Sequence, residues 1–350
     1  MVPTRKAERL TSQADGPKTH PGVNLRGLAQ LVIGVVALGL VLIKSDASAL
    51  IEAMKHTRTS YLPLAVAASF AVTWLMAYRW GTILAARGLR FQTRQLFVYY
   101  LIGIFFTSFV PGGGVSGDVA RLIYVDREVR DKALVLSTLV YERLIGVFTL
   151  LLLGFGATLA TRVYSQTDRV IYIGEAVLAI SFAAITILMS SFITSRLARL
   201  LRAAGARVKA VRLAEAAART LEDISRLRRD PRLLVRTLSI SLVIRIVWSL
   251  GCYVIVWAMG LPIGVFTLFA FISLVDLVRL MPISVGGLGV REWIVIALFA
   301  TVGIPREQSL TFSFLAFAPI YLNAAVGGII YVSTARLRAR GQSGGVESPG

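Results

Sequence analysis

Long apolar stretches alternate with short polar segments along most of the chain. About 20 consecutive apolar residues cross the hydrocarbon core of a bilayer as a helix. Six stretches approach or exceed this length and predict full spans, at residues 27–43, 61–80, 133–160, 170–192, 233–259 and 309–332. The pattern therefore predicts an all-α polytopic membrane protein with about six full spans.

Two further apolar stretches are interrupted. Residues 96–110 end at Pro111 and a glycine cluster, and residues 266–281 end at Pro282 before an apolar segment resumes at Val290. Lipid cannot satisfy the free N–H and C=O groups of such a break, so the break must be shielded by protein or line a wet cavity. We predict two broken helices, 96–124 and 266–302, each a re-entrant hairpin or a pair of half-helices.

Composition excludes a soluble globular domain. The 350 residues are 56% hydrophobic and only 16% charged, with a mean hydropathy of +0.71, whereas soluble domains are about 25% charged. The net charge of +19 lies mostly between the apolar spans. It is therefore typical of basic cytoplasmic loops, and we predict no nucleic-acid partner. The single cysteine, Cys252, cannot form an intrachain disulfide.

Loop charge predicts the orientation. The basic segments 1–26, 81–95, 195–232 and the C-terminus should be cytoplasmic, and the linkers 161–169, 260–264 and 303–308, which are poor in positive charge, should face outside. Residues 96–124 must then enter from the cytoplasm and return to it, whereas residues 266–302 start and end outside. The two halves are thus expected to be inverted-topology repeats, which place their substrate near the bilayer midplane.

The domain organisation follows from these boundaries. We expect a disordered basic cytoplasmic tail at 1–26, a first membrane half at 27–192, a basic amphipathic cytoplasmic linker at 193–232, a second membrane half at 233–335 and a disordered tail at 336–350. The tail at 1–26 lacks the compact apolar region of a cleavable signal. The linker favours either a helix on the anionic inner leaflet or a solvated helix.

The first glycine cluster has two interpretations. A half-helix restarting near Ser116, with Ser116 as its N-cap, would present free N–H groups and a positive dipole end to an anion, and Val290 with Arg291 would form the counterpart. Alternatively, the glycines only allow tight helix packing. The spacing of Gly112 to Gly117 also matches a dinucleotide fingerprint by letter, but no strand precedes it.

Charged residues inside apolar stretches are costly and are functional candidates by default. Asp118 and Arg121 are three residues apart, as are Asp276 and Arg279, so each pair shares a helix face. All of these charges could instead be structural ion pairs. However, arginines exceed carboxylates by one among the charged residues of the apolar stretches, and a guanidinium group can bind phosphate oxygens bidentately. These residues are Asp118, Arg121, Glu142, Arg143, Arg245, Asp276, Arg279, Arg291 and Glu292. Pro319 and Asn323 in the last span indicate packing or a kink.

No catalytic, metal or cofactor site is predicted. The histidines, His20 and His56, lie in polar segments, and the candidate carboxylates are mostly flanked by arginine. The candidate head-group site comprises Gly113, Gly114, Ser116, Gly117, Asp118, Arg121, Glu142, Arg143, Arg245, Asp276, Arg279, Gly286, Gly287, Gly289, Arg291 and Glu292.

These motifs resemble one family. Pro111 to Gly114 with Gly117, Asp118 and Arg121, the Glu142-Arg143 pair, and Pro282 with the stretch from Gly286 to Glu292 together are similar to the flippase-like membrane domain of lysylphosphatidylglycerol synthases. The resemblance implies a bacterial or archaeal inner-membrane protein that moves lipid-linked head groups. It further implies a stand-alone member, since only a short basic tail follows Val332 and the soluble aminoacyl transferase domain is not expected.

The sequence thus predicts a non-enzymatic lipid flippase or head-group transporter of the inner membrane, with both termini cytoplasmic. Its partners would be membrane lipids, either an anionic phospholipid or a polyprenyl phosphate. Two alternatives stay open: an integral-membrane transferase with a lipid-linked donor, and an accessory subunit of a cell-envelope glycosyltransferase. Cell-envelope biosynthesis enzymes are therefore possible partners.

Overall fold

Helices and short connections make up the described part of the chain, with no strand among these residues. The computed structural model describes residues 32–33, 35–40, 43, 47–112, 114–129, 131–160, 174, 176–183, 199–200, 211–281 and 283–343. The helices are α1 (Ala47–Lys55), α2 (Leu62–Ala85), α3 (Thr93–Phe109), α4 (Gly114–Val129), α5 (Lys132–Ala160), α6 (Val211–Arg229), α7 (Pro231–Met259), α8 (Val265–Arg279), α9 (Val290–Ala300) and α10 (Arg306–Ser343). Single 3-10 turns lie at Thr59–Tyr61 and Val285–Gly287.

Four described helical segments are long and apolar enough to cross a bilayer: Thr59–Ala85, Lys132–Ala160, Pro231–Met259 and Arg306–Thr334. They coincide with four of the six predicted spans, which confirms an all-α membrane protein. The predicted spans 27–43 and 170–192 are described only in part, at residues 32–33, 35–40 and 43 and at residues 174 and 176–183. Helix α10 continues to Ser343 and so includes residues 336–343 of the expected C-terminal tail. Their alanine, leucine and arginine residues favour helix.

Local sequence explains where α7 begins and ends. The Asp230 side chain accepts hydrogen bonds from the backbone N–H groups of Arg232 and Leu233, at 3.0 and 3.2 Å, and Pro231 occupies the first turn. These are the usual N-terminal signals. Gly260 ends the helix in the left-handed conformation, with φ of +65°. The helix therefore spans 29 residues with a fixed start and stop.

Polar groups lie inside the helical assembly and apolar groups lie outside. Glu142, Arg291 and Glu292 are at most 3% exposed, whereas Val235 and Ile329 are 64% and 68% exposed. In water this distribution would be unfavourable, but hydrocarbon surrounds the outward faces of membrane helices. The fold therefore encloses a charged interior within an apolar shell.

Both predicted interruptions are present. In the first, α3 ends at Phe109 and α4 starts at Gly114, and the two helices pack against each other. A Cβ at Gly117 would overlap the carbonyl oxygen of Gly103, so only glycine allows this close approach. In the second, Gly286 adopts φ of +63° in the connection between α8 and α9. A left-handed conformation of this kind suits glycine.

Two apolar clusters hold the helices around these interruptions. One joins α2, α7, α8, α9 and α10 and includes Trp248 and Phe317, whose rings meet edge-on at 5.5 Å. The other joins α2, α3, α4 and α5 and includes Trp80 and Leu139. The interruptions meet between them, since a Cβ at Gly286 would lie 3.2 Å from the carbonyl oxygen of Ser108.

The basic helix α6 packs against helices α2 and α5. Its residues Ile224 and Leu227 form an apolar cluster with Ile83 and Tyr141. Asp223 of α6 also accepts a 2.6 Å hydrogen bond from Arg87. This part of the apolar face is therefore covered by α5 and neighbouring helices, whereas Leu200 of the same linker is 65% exposed. Residues 201–210 lie outside the described residues, and both interpretations of the linker stay predictions.

Candidate functional site

The interruptions border a cavity of about 330 Å³ inside the helical assembly. Residues of α2, α3, α4, α5, α7, α8, α9 and α10 line it, together with the connection that contains Ser284 and Gly286. Apolar side chains such as Val72, Ile104 and Leu150 share the lining with charged and hydroxyl side chains. The cavity can therefore accommodate a ligand that has both a polar and an apolar part.

The charge of the lining is strongly positive. Six arginines line the cavity, Arg79, Arg121, Arg143, Arg245, Arg279 and Arg291, together with three carboxylates, Asp118, Glu142 and Asp276. Glu292 lies just outside the lining and pairs with Arg291, so six guanidinium groups face four carboxylates and leave a formal excess of two positive charges. Because the field of buried charges is poorly screened, this excess favours an anionic ligand.

Glu142 is the centre of the first group of ion pairs. Its Oε1 accepts a 2.7 Å hydrogen bond from Arg79 and a short one from the Tyr100 hydroxyl. Its Oε2 accepts from Arg121 at 3.0 Å. The Arg121 guanidinium also lies 4.1 Å from the centre of the Tyr100 ring, a cation–π contact. One carboxylate on α5 thus positions arginines from α2 and α4.

Asp118 joins the start of α4 to α5. Its carboxylate accepts short hydrogen bonds from Arg121 and Arg143, which confirms the predicted pairing of Asp118 with Arg121. A Cβ at Gly114 would lie 2.6 Å from Nη2 of Arg143, so this guanidinium sits beside the first residue of the helix. A cation at a positive helix end is unfavourable, and an anion bound there would reduce this repulsion.

Asp276 has the corresponding place in the second half. It accepts hydrogen bonds from Arg245 at 3.2 Å and from Arg279 at 3.0 Å, which confirms the predicted pairing of Asp276 with Arg279. Arg245 also donates to the carbonyl oxygen of Gly146 at 3.2 Å. Arg245 therefore connects α7 to α5 and α8 at the cavity wall.

Arg291 and Glu292 form a fully buried pair at the start of α9. Glu292 accepts a 2.8 Å hydrogen bond from Arg291 Nε and a 2.6 Å hydrogen bond from the backbone N–H of Gly289. It thereby satisfies one free N–H of the helix start. Arg291 also lies over the ring of Phe317, at 4.4 Å, and its Nη1 has no hydrogen-bond partner in the described part of the chain.

The structure brings most of the predicted residues together. Twelve line the cavity: Gly114, Gly117, Asp118, Arg121, Glu142, Arg143, Arg245, Asp276, Arg279, Gly286, Gly287 and Arg291. Gly289 and Glu292 support Arg291 from outside the lining. Gly113 lies outside the described residues.

The predicted N-cap role of Ser116 is wrong. Helix α4 already starts at Gly114, so Ser116 lies within its first turn. The Ser116 hydroxyl donates to the carbonyl oxygen of Phe106 at 3.0 Å. That carbonyl also accepts from the backbone N–H of Val110 at 2.9 Å, so Ser116 adds a second hydrogen bond that connects α4 to the C-terminal turn of α3.

Several lining residues were not among the predicted ones. Arg79, near the end of the predicted span 61–80, is 4% exposed and pairs with Glu142. Tyr100 and Asn323 also line the cavity. A charge within a predicted span was the available signal for Arg79, whereas no signal distinguished Tyr100 from other apolar-span tyrosines.

The described residues contain no group of three histidine, cysteine, aspartate or glutamate side chains close enough to hold a metal ion. The carboxylates of the cavity instead each contact at least two arginines. Each of these carboxylates is thus held between arginines, and the same arginines can bind an anion.

Comparison with known proteins identifies the family. Residues 27–327 match the model of the lysylphosphatidylglycerol synthase TM region, so the chain belongs to this family of multi-pass membrane proteins. It is 22% identical over 303 residues to a UPF0104 membrane protein of Methanothermobacter thermautotrophicus, which covers 81% of this chain and 88% of that protein.

A second relative matches over a shorter region. It is the UPF0104 membrane protein MJ1595 of Methanocaldococcus jannaschii, 27% identical over 112 residues, or 30% of this chain and 33% of that protein. No solved structure matches the chain significantly.

Proposed function

We propose that this protein is a lipid transporter that holds the phosphate of an anionic phospholipid or polyprenyl phosphate in the arginine-lined cavity. The observation that carries the proposal is the excess of two positive charges around one cavity where two interrupted helices meet, with Glu292 counted as the partner of Arg291. Arginine suits phosphate because its planar fork donates two parallel hydrogen bonds. Arg79 Nε, Arg279 Nε and Arg291 Nη1 each have no partner among the described residues and would be donors to such a ligand.

The depth of the charges supports a site near the bilayer midplane. Arg245 is the fifteenth of the 29 residues of α7, with fourteen residues on either side. At 1.5 Å per residue, it lies about 21 Å from each helix end. A phosphate held at this depth would be partway between the two leaflets, as a flippase requires.

Helix α4 has the properties of a half-helix that faces lipid on one side. Val115, Val119 and Ile123 recur every four residues and are 61%, 50% and 46% exposed. Asp118 and Arg121, on another face, line the cavity. An apolar outer face next to a charged inner face would let the hydrocarbon tail of a lipid stay in the bilayer while its head group enters the cavity.

The mechanism we propose is alternating access between inverted repeats in the inner membrane, with both termini cytoplasmic. The broken helices 96–124 and 266–302 would enter from opposite faces and expose the phosphate site to one leaflet at a time. The family name points to phospholipid chemistry, which supports a lipid as the transported molecule.

Reconstitution into liposomes tests the proposal. Fluorescent phosphatidylglycerol or an isoprenyl phosphate is placed in both leaflets, and the fraction that moves between them is measured with a membrane-impermeant quencher. The wild-type protein should accelerate movement, and Arg121→Ala and Arg291→Ala should each slow it at least about tenfold, since a charged hydrogen bond contributes about 1.5–3 kcal/mol.

Arg236→Ala is the matched control because Arg236 is exposed, bonds Tyr78 at 2.6 Å and does not line the cavity. Equal movement with and without protein, for every phosphate lipid, would contradict transport. Chemical conversion of the labelled lipid by the purified protein would favour the transferase alternative.

A further inference from the structure

Uncharged lining residues form a second polar part of the cavity. Trp248, Ser284, Tyr321 and Asn323 all line it, and each has one buried polar atom without a hydrogen-bond partner in the described part of the chain: Nε1, Oγ, the phenolic oxygen and Oδ1, respectively. Buried polar groups are nearly always paired. Four such atoms around one cavity therefore require an explanation other than packing.

Neighbouring groups fix the orientation of Asn323. Its Nδ2 donates to Ser69 Oγ at 3.0 Å and to Thr73 Oγ1 at 2.9 Å, and lies 3.3 Å from the Ser69 carbonyl oxygen. Thr73 Oγ1 already donates its own proton to that carbonyl at 3.0 Å. If the amide were flipped, Oδ1 would face the Ser69 carbonyl oxygen and Thr73 Oγ1, which are both acceptors here. Oδ1 therefore points away from α2, and it needs a hydrogen-bond donor.

The Tyr321 hydroxyl lies at the meeting point of the two interruptions. A Cβ at Gly286 would be 3.8 Å from it and 3.2 Å from the Ser108 carbonyl oxygen. Ser284 is two residues before Gly286 in the same connection and is 4% exposed. Each of these hydroxyls can donate or accept a hydrogen bond.

We propose that this part of the cavity recognises hydroxyl groups on the head group of the transported lipid, as in a glycerol or sugar attached to the phosphate. Asn323 Oδ1 can only accept a hydrogen bond and Trp248 Nε1 can only donate one. A hydroxyl can donate to the first and accept from the second, whereas an ammonium group can only donate and leaves Trp248 unpaired. The excess positive charge of the cavity also repels an amine. This inference rests on the proposed function and narrows its substrate to phosphodiester lipids with a hydroxylated head group.

Equilibrium binding of short-chain lipids to the purified full chain in detergent tests the inference. Phosphatidylglycerol is compared with phosphatidylpropanol, which has the same charge and nearly the same shape but no head-group hydroxyls. In a second arm, an isoprenyl phosphohexose is compared with the methyl phosphodiester of the same isoprenyl chain. In at least one of the two comparisons, we expect the hydroxylated lipid to bind about threefold to tenfold more tightly for each hydroxyl that the site recognises. A preference in the first comparison indicates a glycerol head group, and a preference in the second indicates a sugar.

The variant Ser284→Ala/Tyr321→Phe provides the diagnostic measurement. Because these hydroxyls have no protein partner among the described residues, their removal should leave the unfolding midpoint unchanged but abolish the preference for the hydroxylated lipid. Tyr331→Phe is the control, since Tyr331 stacks on Phe105 and does not line the cavity.

The outcomes separate the two proposals. Equal binding of hydroxylated and hydroxyl-free phosphodiesters in both arms, a preference that persists in the double variant, or phosphatidylethanolamine binding as tightly as phosphatidylglycerol would each overturn the hydroxyl site and leave phosphate binding intact. Failure of every phosphodiester to bind would overturn the proposed function itself.

Discussion

Substitution of Glu142 by glutamine tests whether this carboxylate neutralises the buried arginines. The Glu142 side chain is 3% exposed and contacts Arg79 at 2.7 Å and Arg121 at 3.0 Å. Glutamine preserves the shape but removes the charge, and Arg79 then has no carboxylate within its described contacts. Removing one partner of a buried ion pair costs about 3–5 kcal/mol. We expect Glu142→Gln to lower the free energy of unfolding by that amount.

The assay is equilibrium unfolding in mixed micelles, titrated with a denaturing detergent and followed by circular dichroism. Arg79→Met and the double variant Arg79→Met/Glu142→Gln complete a double-mutant cycle. Each single variant leaves one member of the ion pair without its partner, whereas the double variant removes both members. The double variant should therefore be more stable than the sum of the two single losses predicts, with a coupling energy between Arg79 and Glu142 of about 0.5–3 kcal/mol. Glu52→Gln is the control, since the Glu52 side chain is 74% exposed.

Two results would refute this reasoning. If Glu142→Gln unfolds like Glu52→Gln, within about 0.5 kcal/mol of wild type, the carboxylate does not stabilise the arginines. If the two substitutions are additive, Arg79 and Glu142 do not interact in the folded protein, and the ion-pair network described here is wrong at its centre.

Three further substitutions test the packing around the cavity by the same unfolding titration. Gly117→Val should lower the free energy of unfolding by about 1–3 kcal/mol, because the added side chain overlaps helix α3. Gly156→Val should lower it far less, since no atom lies within 4 Å of the added Cβ. Equal losses of stability in the two variants would contradict the close approach of α3 and α4. Gly286→Ala should cost about 1–2 kcal/mol because of its φ of +63°, and Gly264→Ala, with φ of −69°, should not. Asn323→Leu should cost about 1–3 kcal/mol by leaving buried acceptors on α2 unpaired, and wild-type stability would show that this contact does not form.

Local sequence predicted the interruptions and the short-range ion pairs. Proline and glycine next to apolar runs mark the ends of α3 and α8, and a spacing of three residues is enough to pair Asp118 with Arg121 and Asp276 with Arg279. These features depend on residues within a few turns of each other, which is why a single sequence contains them.

The rest of the site depends on contacts between distant parts of the chain. Arg79 and Glu142 are 63 residues apart, and Asn323 and Ser69 are 254 residues apart. Arg79 was not among the predicted site residues because it lies next to the predicted end of a span at residue 80, but α2 continues to Ala85. Hydropathy describes the side of a helix that faces lipid and gives no partner for a charge that faces the interior.

An electron cryo-microscopy structure of the full chain in nanodiscs of phosphatidylglycerol would show directly whether the arginines hold a lipid phosphate. We expect density for one lipid phosphate in the cavity, within hydrogen-bonding distance of at least two of Arg121, Arg279 and Arg291, and a hydrocarbon tail that extends from it into the bilayer. Density for water or acyl chains alone in the cavity, with every guanidinium group bound only to protein, would show that the cavity does not bind lipid phosphate.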